Sequence, residues 1–236
     1  SVLNYFAAWI RPYSCSSSPI SLPRMQHPVG TRSNAETGRA ELIDVGARLT
    51  NPTAVQAVPH AIFAAWQLAS TFVCGLVSWW MVLEHRAGYP RRRSHHLAHD
   101  TRFRAWAILV ATAGVFLTGD LLAEVIFLPQ PMKMASAEAL CRSETDPAFI
   151  LTISTLNNCE TAVRVIDVPH MVPFLAQGRC TGELQGALDL ITQYDALYGP
   201  GNYIPNLFVT YWSFRLVIGF LPCPVIMAVV ALWNRG

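Results

Sequence analysis

The chain has 236 residues, 52% of them hydrophobic and only 14% charged, with a formal net charge of +2 and a mean hydropathy of +0.31. That composition lies outside the range of soluble domains, so a lipid bilayer, and no nucleic acid, is the expected partner.

Residues 1–24 read as a leader unlike the rest. A short apolar piece, Phe6 to Ile10, runs into SCSSSPISLP at Ser14 to Pro23, too polar and proline-rich to extend it into a span. A cleaved signal peptide fits poorly, because the basic residues follow the apolar piece. Residues 25–53 form a segment ahead of the first span. There, from Ser33 to Leu49, charges alternate with apolar residues at helical spacing, including Leu42, Ile43, Val45 and Ala47, which predicts a surface helix.

Three runs then reach the roughly 20 residues that a helix needs to cross a bilayer. They are residues 54–83, 103–128 and 206–234, the last with its apolar run from Leu207 to Trp233. A lone span must satisfy its own backbone, so each is predicted as a helix, giving an all-α membrane protein. Residues 84–102 form a short basic loop, with Arg86, Arg91, Arg92, Arg93, Arg102 and Arg104 in or beside it, which places it on the cytoplasmic side. The long connector at 129–205 then lies outside, with eight acids against Lys133, Arg142, Arg164 and Arg179. It is too long for an idle linker.

Polar residues within the spans carry the functional question. His60 sits in a stretch, Leu49 to Leu83, without Asp, Glu, Lys or Arg. An imidazole there is either bonded to a neighbouring helix or kept for a ligand. Asp120 and Glu124 lie one turn apart near the end of the second span, and a carboxylate pair wetted by headgroup water is one reading of them. Arg215 is a further intramembrane charge, which snorkelling rescues only in part. Of the six cysteines, Cys74 and Cys223 lie in spans as small apolar residues, and Cys141 with Cys159 is the preferred disulfide in an oxidising outer connector. No CxxC spacing suggests a metal site.

Several ordered stretches carry a family resemblance: MQHPVG at Met25 to Gly30, NPTAVQAVPH at Asn51 to His60, Gly119 with Asp120, QPMKMASAEA at Gln130 to Ala139, and PNLFVTYWSFR at Pro205 to Arg215. From about Met25 onward the chain resembles subunit I of cytochrome bd-type quinol oxidases, and the PMKMASAEALC stretch looks closest to the actinobacterial branch. The resemblance implies an oxidoreductase of the respiratory chain in a bacterial plasma membrane. Such a subunit passes electrons from menaquinol or ubiquinol through a low-spin haem b toward oxygen, beside a second membrane subunit. Menaquinol is the reductant the actinobacterial likeness favours.

Residue by residue, His60 matches the histidine ligand of that haem and its iron, and Arg215 the arginine beside it. Lys133 and Glu138 match the residues associated with quinol oxidation, with Asp120 the acidic residue of the second span. A carboxylate that accepts a proton and an ammonium that binds the quinol oxygen suit a reaction that releases two protons with two electrons. The sequence also departs from the pattern. Leu121 to Pro129 reads LLAEVIFLP where a more polar stretch with glutamine and lysine is expected. Val217 stands at the position of the methionine ligand, and valine cannot ligate iron. Met227 is ten residues further on, about 15 Å deeper at helical rise.

The family also carries a second haem b and a haem d, whose ligands lie in spans absent from this sequence. The expectation is therefore a middle section of a larger helical bundle, unable to complete turnover alone. Two alternatives stay open: a truncated remnant that inserts without redox chemistry, and a transporter segment using His60, Asp120, Glu124 and Arg215 as a polar path. The second lacks the internal symmetry such proteins show.

Overall fold

A computed structural model describes residues 27–34, 36–88, 91–153, 159 and 164–233. The expected leader at 1–24 lies outside them. Among the described residues, three stretches are long and apolar enough to cross a membrane, Val45–Arg86, Thr101–Phe127 and Leu207–Trp233. The described part of the chain is thus mostly helical with three candidate spans, as the all-α membrane reading expects.

Before the first span, β1 (Thr31–Asn34) and β2 (Arg39–Leu42) pair as an antiparallel hairpin, Thr31 opposite Leu42 and Asn34 opposite Arg39. This corrects the surface helix expected over Ser33 to Leu49, of which only α1 (Val45–Leu49) is helical. Turn chemistry overrides the apolar spacing here. The Asn34 side chain accepts from the Glu36 N–H at 2.9 Å, and Gly38 takes a φ of 62° to close the hairpin.

The helix α2 (Pro52–Arg86) begins at a built cap. Asn51 is fully buried, its side-chain oxygen accepts from the Ala54 N–H at 3.1 Å, and its amide donates to the His27 carbonyl at 2.6 Å. Pro52 occupies the first turn, where its missing N–H costs nothing. Two of the sequence stretches that carried the resemblance, those of His27 and Asn51, are therefore stapled together at one helix start. The helix α3 (Arg91–Phe127) starts earlier than the sequence suggests. Most of the basic loop expected at 84–102 is helix, because residues 91–113 hold neither glycine nor proline and favour continued winding.

The long connector folds into α4 (Pro131–Ala137), β3 (Glu144–Thr145), β4 (Phe149–Ile153), β5 (Arg164–Val168), α5 (Met171–Gln177), β6 (Glu183–Leu184) and α6 (Ala187–Tyr198). The strands form two small antiparallel ribbons, β3 with β6 and β4 with β5. Met132, Ala135, Leu140, Phe149, Val172, Leu184 and Leu190 make a continuous apolar core beneath them. Cys141 and Cys159 are joined by a disulfide, with their Cα atoms 5.4 Å apart, while Cys180 is free and exposed.

The third span is two helices, α7 (Leu207–Phe220) and α8 (Pro222–Trp233). Pro222 and Pro224 offer no N–H to the preceding turn, which ends α7 at Phe220. By packing, the chain divides into two units. One takes in the chain up to Val58 with Asp120–Arg215, and the other Pro59–Gly119 with the chain from Leu216.

Candidate functional site

In the first unit, the ninth residue of α7 closes a buried polar knot. Arg215 is 7% exposed and Glu138 2%, and Nη2 of the arginine donates to Oε2 of the carboxylate at 2.8 Å. Its Nε donates to the Ile150 carbonyl at 2.8 Å, and the same carbonyl accepts from the hydroxyl of fully buried Tyr211 at 2.7 Å. The guanidinium lies 3.9 Å from the centroid of Phe149 and 4.6 Å from that of Tyr211, so aromatic faces supply further attraction to the cation. One donor is left over. Among the described residues, buried Nη1 has no hydrogen-bond partner.

Local structure explains how these residues meet. Glu138 is the C-cap of α4, where the helix stops and Ala139 turns with a φ of 54°. β4 supplies Phe149 and Ile150, and one turn of α7 separates Tyr211 from Arg215. Burial raises the pKa of Glu138, and the Arg215 charge and hydrogen bond pull against it without reversing it. A carboxyl held that way takes up a proton at higher pH than an exposed one.

Lys133 lies on an exposed part of α4, and desolvation by its surroundings lowers its ammonium pKa. The structure does not gather it with Glu138, which faces Arg215. On another side of α4, Pro131 and Met134 line a cleft of about 410 Å³ with Phe127, Leu184, Gln177 and Gln185; neither Lys133 nor Glu138 lines it. Asp120 and Glu124 are half-buried on α3. Glu124 packs against Gly178, where a Cβ would come within 2.6 Å of Oε1, so this acid supports the left-handed end of α5.

In the second unit, His60 is half-buried on α2, which runs through Pro59 without a break. Its Nδ1 lies 3.2 Å from the Thr118 hydroxyl, and a Cβ on Gly119 would lie 3.2 Å from its Cε1. Seven residues along, Gln67 donates to Thr112 at 3.0 Å. Gly114 gives room to the Phe63 ring, so α2 and α3 approach closely. Val217 is 70% exposed and Met227 45%. No group of three or more His, Cys, Asp or Glu side chains is placed to hold a metal ion among the described residues.

The sequence singled out Arg215 and Glu138 separately, the first as an intramembrane charge and the second as a residue matched to quinol oxidation. It missed that they pair, and missed Tyr211, Phe149 and Thr118. The one available signal was FVTYWSFR, which puts Tyr211 four residues before Arg215 on one helical face. Phe149 and the Ile150 carbonyl arrive through tertiary folding that no local pattern announces.

Fold and knot together define a helical membrane protein whose long connector delivers a buried carboxylate to an intramembrane arginine. The chain belongs to the family described as cytochrome bd terminal oxidase subunit I, whose model matches residues 23–235. It is 36% identical over 215 residues to cytochrome bd ubiquinol oxidase subunit 1 of Bacillus subtilis (strain 168), covering 89% of this chain and 44% of the relative. Against cytochrome bd-II ubiquinol oxidase subunit 1 of Escherichia coli (strain K12) it is 22% identical over 175 residues, 72% of this chain and 32% of the relative. The structure of bd oxidase from Geobacillus thermodenitrificans shares the fold with a TM-score of 0.60 at 16% identity, covering 91% of this chain and 52% of that one. The chain spans half or less of the length of the curated relatives it matches.

Proposed function

We propose that this chain provides the quinol-oxidising, haem-bearing part of a membrane terminal oxidase, with menaquinol, or alternatively ubiquinol, as reductant and oxygen as final acceptor. The observation that carries the reading is the Glu138–Arg215 knot. It joins the residue matched to quinol oxidation to the residue matched to the haem environment, through one buried hydrogen bond of 2.8 Å.

The residues fit a haem in two respects and depart in one. Arg215 has a buried Nη1 without a partner, a donor suited to a propionate oxygen. His60 has Nδ1 engaged by Thr118, which leaves Nε2 as the nitrogen for iron. Val217 carries no sulfur where the resemblance expects the methionine ligand, so His60 would be the residue that holds the iron. The haem, when bound, supplies a one-electron acceptor.

The chain's own residues handle the protons. A quinol gives up two protons and two electrons to become quinone. Glu138 takes one of those protons through Oε1, the oxygen that Arg215 does not hold, and releases it toward the aqueous side. Arg215 keeps the carboxylate in place between turnovers, and its charge holds the pKa below what burial alone would impose. Lys133, with its ammonium pKa lowered, attracts the developing negative charge on the quinol oxygen from the open side of α4. Asp120, half-buried on α3, matches the family's acidic residue and would stand as a further proton-handling carboxylate on this reading.

On this reading the connector at 129–205 faces outward and the basic residues 84–102 face the cytoplasm, as their charge asymmetry favours. Protons from quinol then leave on the outer side. A second membrane subunit and lipid cover the apolar faces of the spans, where Leu68, Phe72, Phe103, Phe116 and Leu117 are all exposed. The test is a reduced-minus-oxidised visible spectrum of membranes expressing the chain with ample haem. A b-type band that disappears in His60→Ala supports the reading; a spectrum unchanged by that substitution, or no band at all, rejects it.

A further inference from the structure

The hydroxyl of Thr118 has one proton to give, and its surroundings show where that proton goes. It donates to the Gly114 carbonyl one turn back on α3, at 2.6 Å, with the Val115 carbonyl at 3.4 Å as the other taker on the same helix. A hydroxyl has one donor and two lone pairs. With the proton spent on the backbone, Oγ1 can meet His60 Nδ1, 3.2 Å away, only as an acceptor. The hydrogen of that contact must then sit on Nδ1. A neutral imidazole with its proton on Nδ1 has its lone pair on Nε2.

The geometry points to Thr118 as a positioning residue that holds His60 in the Nδ1–H tautomer and so presents Nε2 as an electron-pair donor to iron. The proposal rests on the reading of His60 as a haem ligand and adds what selects the ligating nitrogen. Two further observations support it. Gly119 admits the ring edge so closely that a Cβ there would lie 3.2 Å from Cε1 and 3.5 Å from Nδ1, so a side chain at this position would crowd the imidazole where it meets Thr118. The same arrangement recurs seven residues along α2: Thr112 donates to the Ile108 carbonyl at 2.8 Å and accepts from Gln67 at 3.0 Å. Threonines of α3 thus close on their own helix and offer a lone pair to α2. An acceptor on Nδ1–H also makes the imidazole a more basic ligand, which favours ferric over ferrous iron.

Nitrogen-15 NMR of the full-length chain in lipid, with His60 assigned by its loss in His60→Ala, reads the tautomer without any haem. The expected result is a protonated Nδ1 and an unprotonated Nε2, with Thr118→Val shifting the balance toward Nε2–H and Thr118→Ser restoring it. A wild-type ring protonated on Nε2 overturns the proposal, and so does a Thr118→Val ring with the wild-type tautomer. With haem loaded, Thr118→Val is expected to lower haem affinity about 10-fold or more and move the midpoint potential positive, and Thr118→Ser to reverse both. Unchanged affinity and potential in Thr118→Val would also overturn it. Failure of the wild type to bind haem rejects the ligand reading instead, and the tautomer still decides the role of Thr118.

Discussion

Nη2 of Arg215 donates to Oε2 of Glu138 across 77 residues of sequence, and both side chains are almost wholly buried. Taking two such charges out of water costs several kcal/mol per ion, which mutual attraction offsets only when the remaining donors and acceptors are also met. The Ile150 carbonyl and the Phe149 and Tyr211 faces meet most of them, and Nη1 is the exception.

Removing one partner leaves the other charge buried. Glu138→Ala is expected to destabilise the fold by about 3–5 kcal/mol, and Arg215→Leu by a similar amount. The pair Glu138→Leu with Arg215→Leu should recover most of that loss, because no unpaired charge remains, yet should not recover quinol oxidation. Thermal unfolding of the three variants in detergent, set beside their quinol oxidation rates, checks both halves.

The pH dependence follows from the direction in which Glu138 is shifted. Its folded pKa is raised above the ordinary 4.5, chiefly by burial. The folded chain therefore holds this proton more tightly than the unfolded one. Its contribution to stability is complete below about pH 4.5 and is lost as pH rises through the folded value. Under the proposed role of Glu138 as proton acceptor, quinol oxidation would need the carboxylate and so move the other way, with its acid limb above pH 4.5. Arg215→Gln removes the attraction that lowers this pKa, so the limb should move to still higher pH in rate measurements across the acid range.

The Cys141–Cys159 bond closes a loop of 18 residues immediately after the knot's carboxylate. By the chain-entropy argument a loop of that size gives about 3 kcal/mol. Cys141→Ser, or reduction of the wild type, should lower the unfolding temperature of the connector and quicken its proteolysis. Cys180→Ser, at the free and exposed cysteine, should change neither.

Val217→Met restores a sulfur at the position matched to the second axial ligand. If the haem pocket is intact, its spectrum should move toward six-coordinate low-spin iron. A spectrum identical to that of the parent would show that position 217 does not face the iron.

Much of the fold could be read in advance because spans announce themselves by length and by missing charge. Leu49 to Leu83 contains no charged residue, and no alternative to a helix satisfies that backbone in lipid. Boundaries were less legible. The basic stretch 91–102 looks like a loop by charge and is helical because nothing in it breaks a helix, while Asn34 and Gly38 make a hairpin where apolar spacing suggests a helix. At the site, Arg215 and Glu138 were visible as individual residues, the arginine because a charge in a span demands explanation and the glutamate because the family resemblance matched it. Their pairing was not, because it depends on where α4 ends relative to α7. Thr118 was invisible for a different reason: a threonine in a span is ordinary until its proton is traced.

The most direct test of the central claim is anaerobic, menaquinol-driven reduction of the b-type haem in Glu138→Gln, compared with wild type and with chemical reduction by dithionite. The account predicts a haem that dithionite reduces fully in both proteins, but that menaquinol reduces at least about 100-fold more slowly when Glu138 cannot take a proton. Menaquinol reduction at the wild-type rate in Glu138→Gln would contradict it.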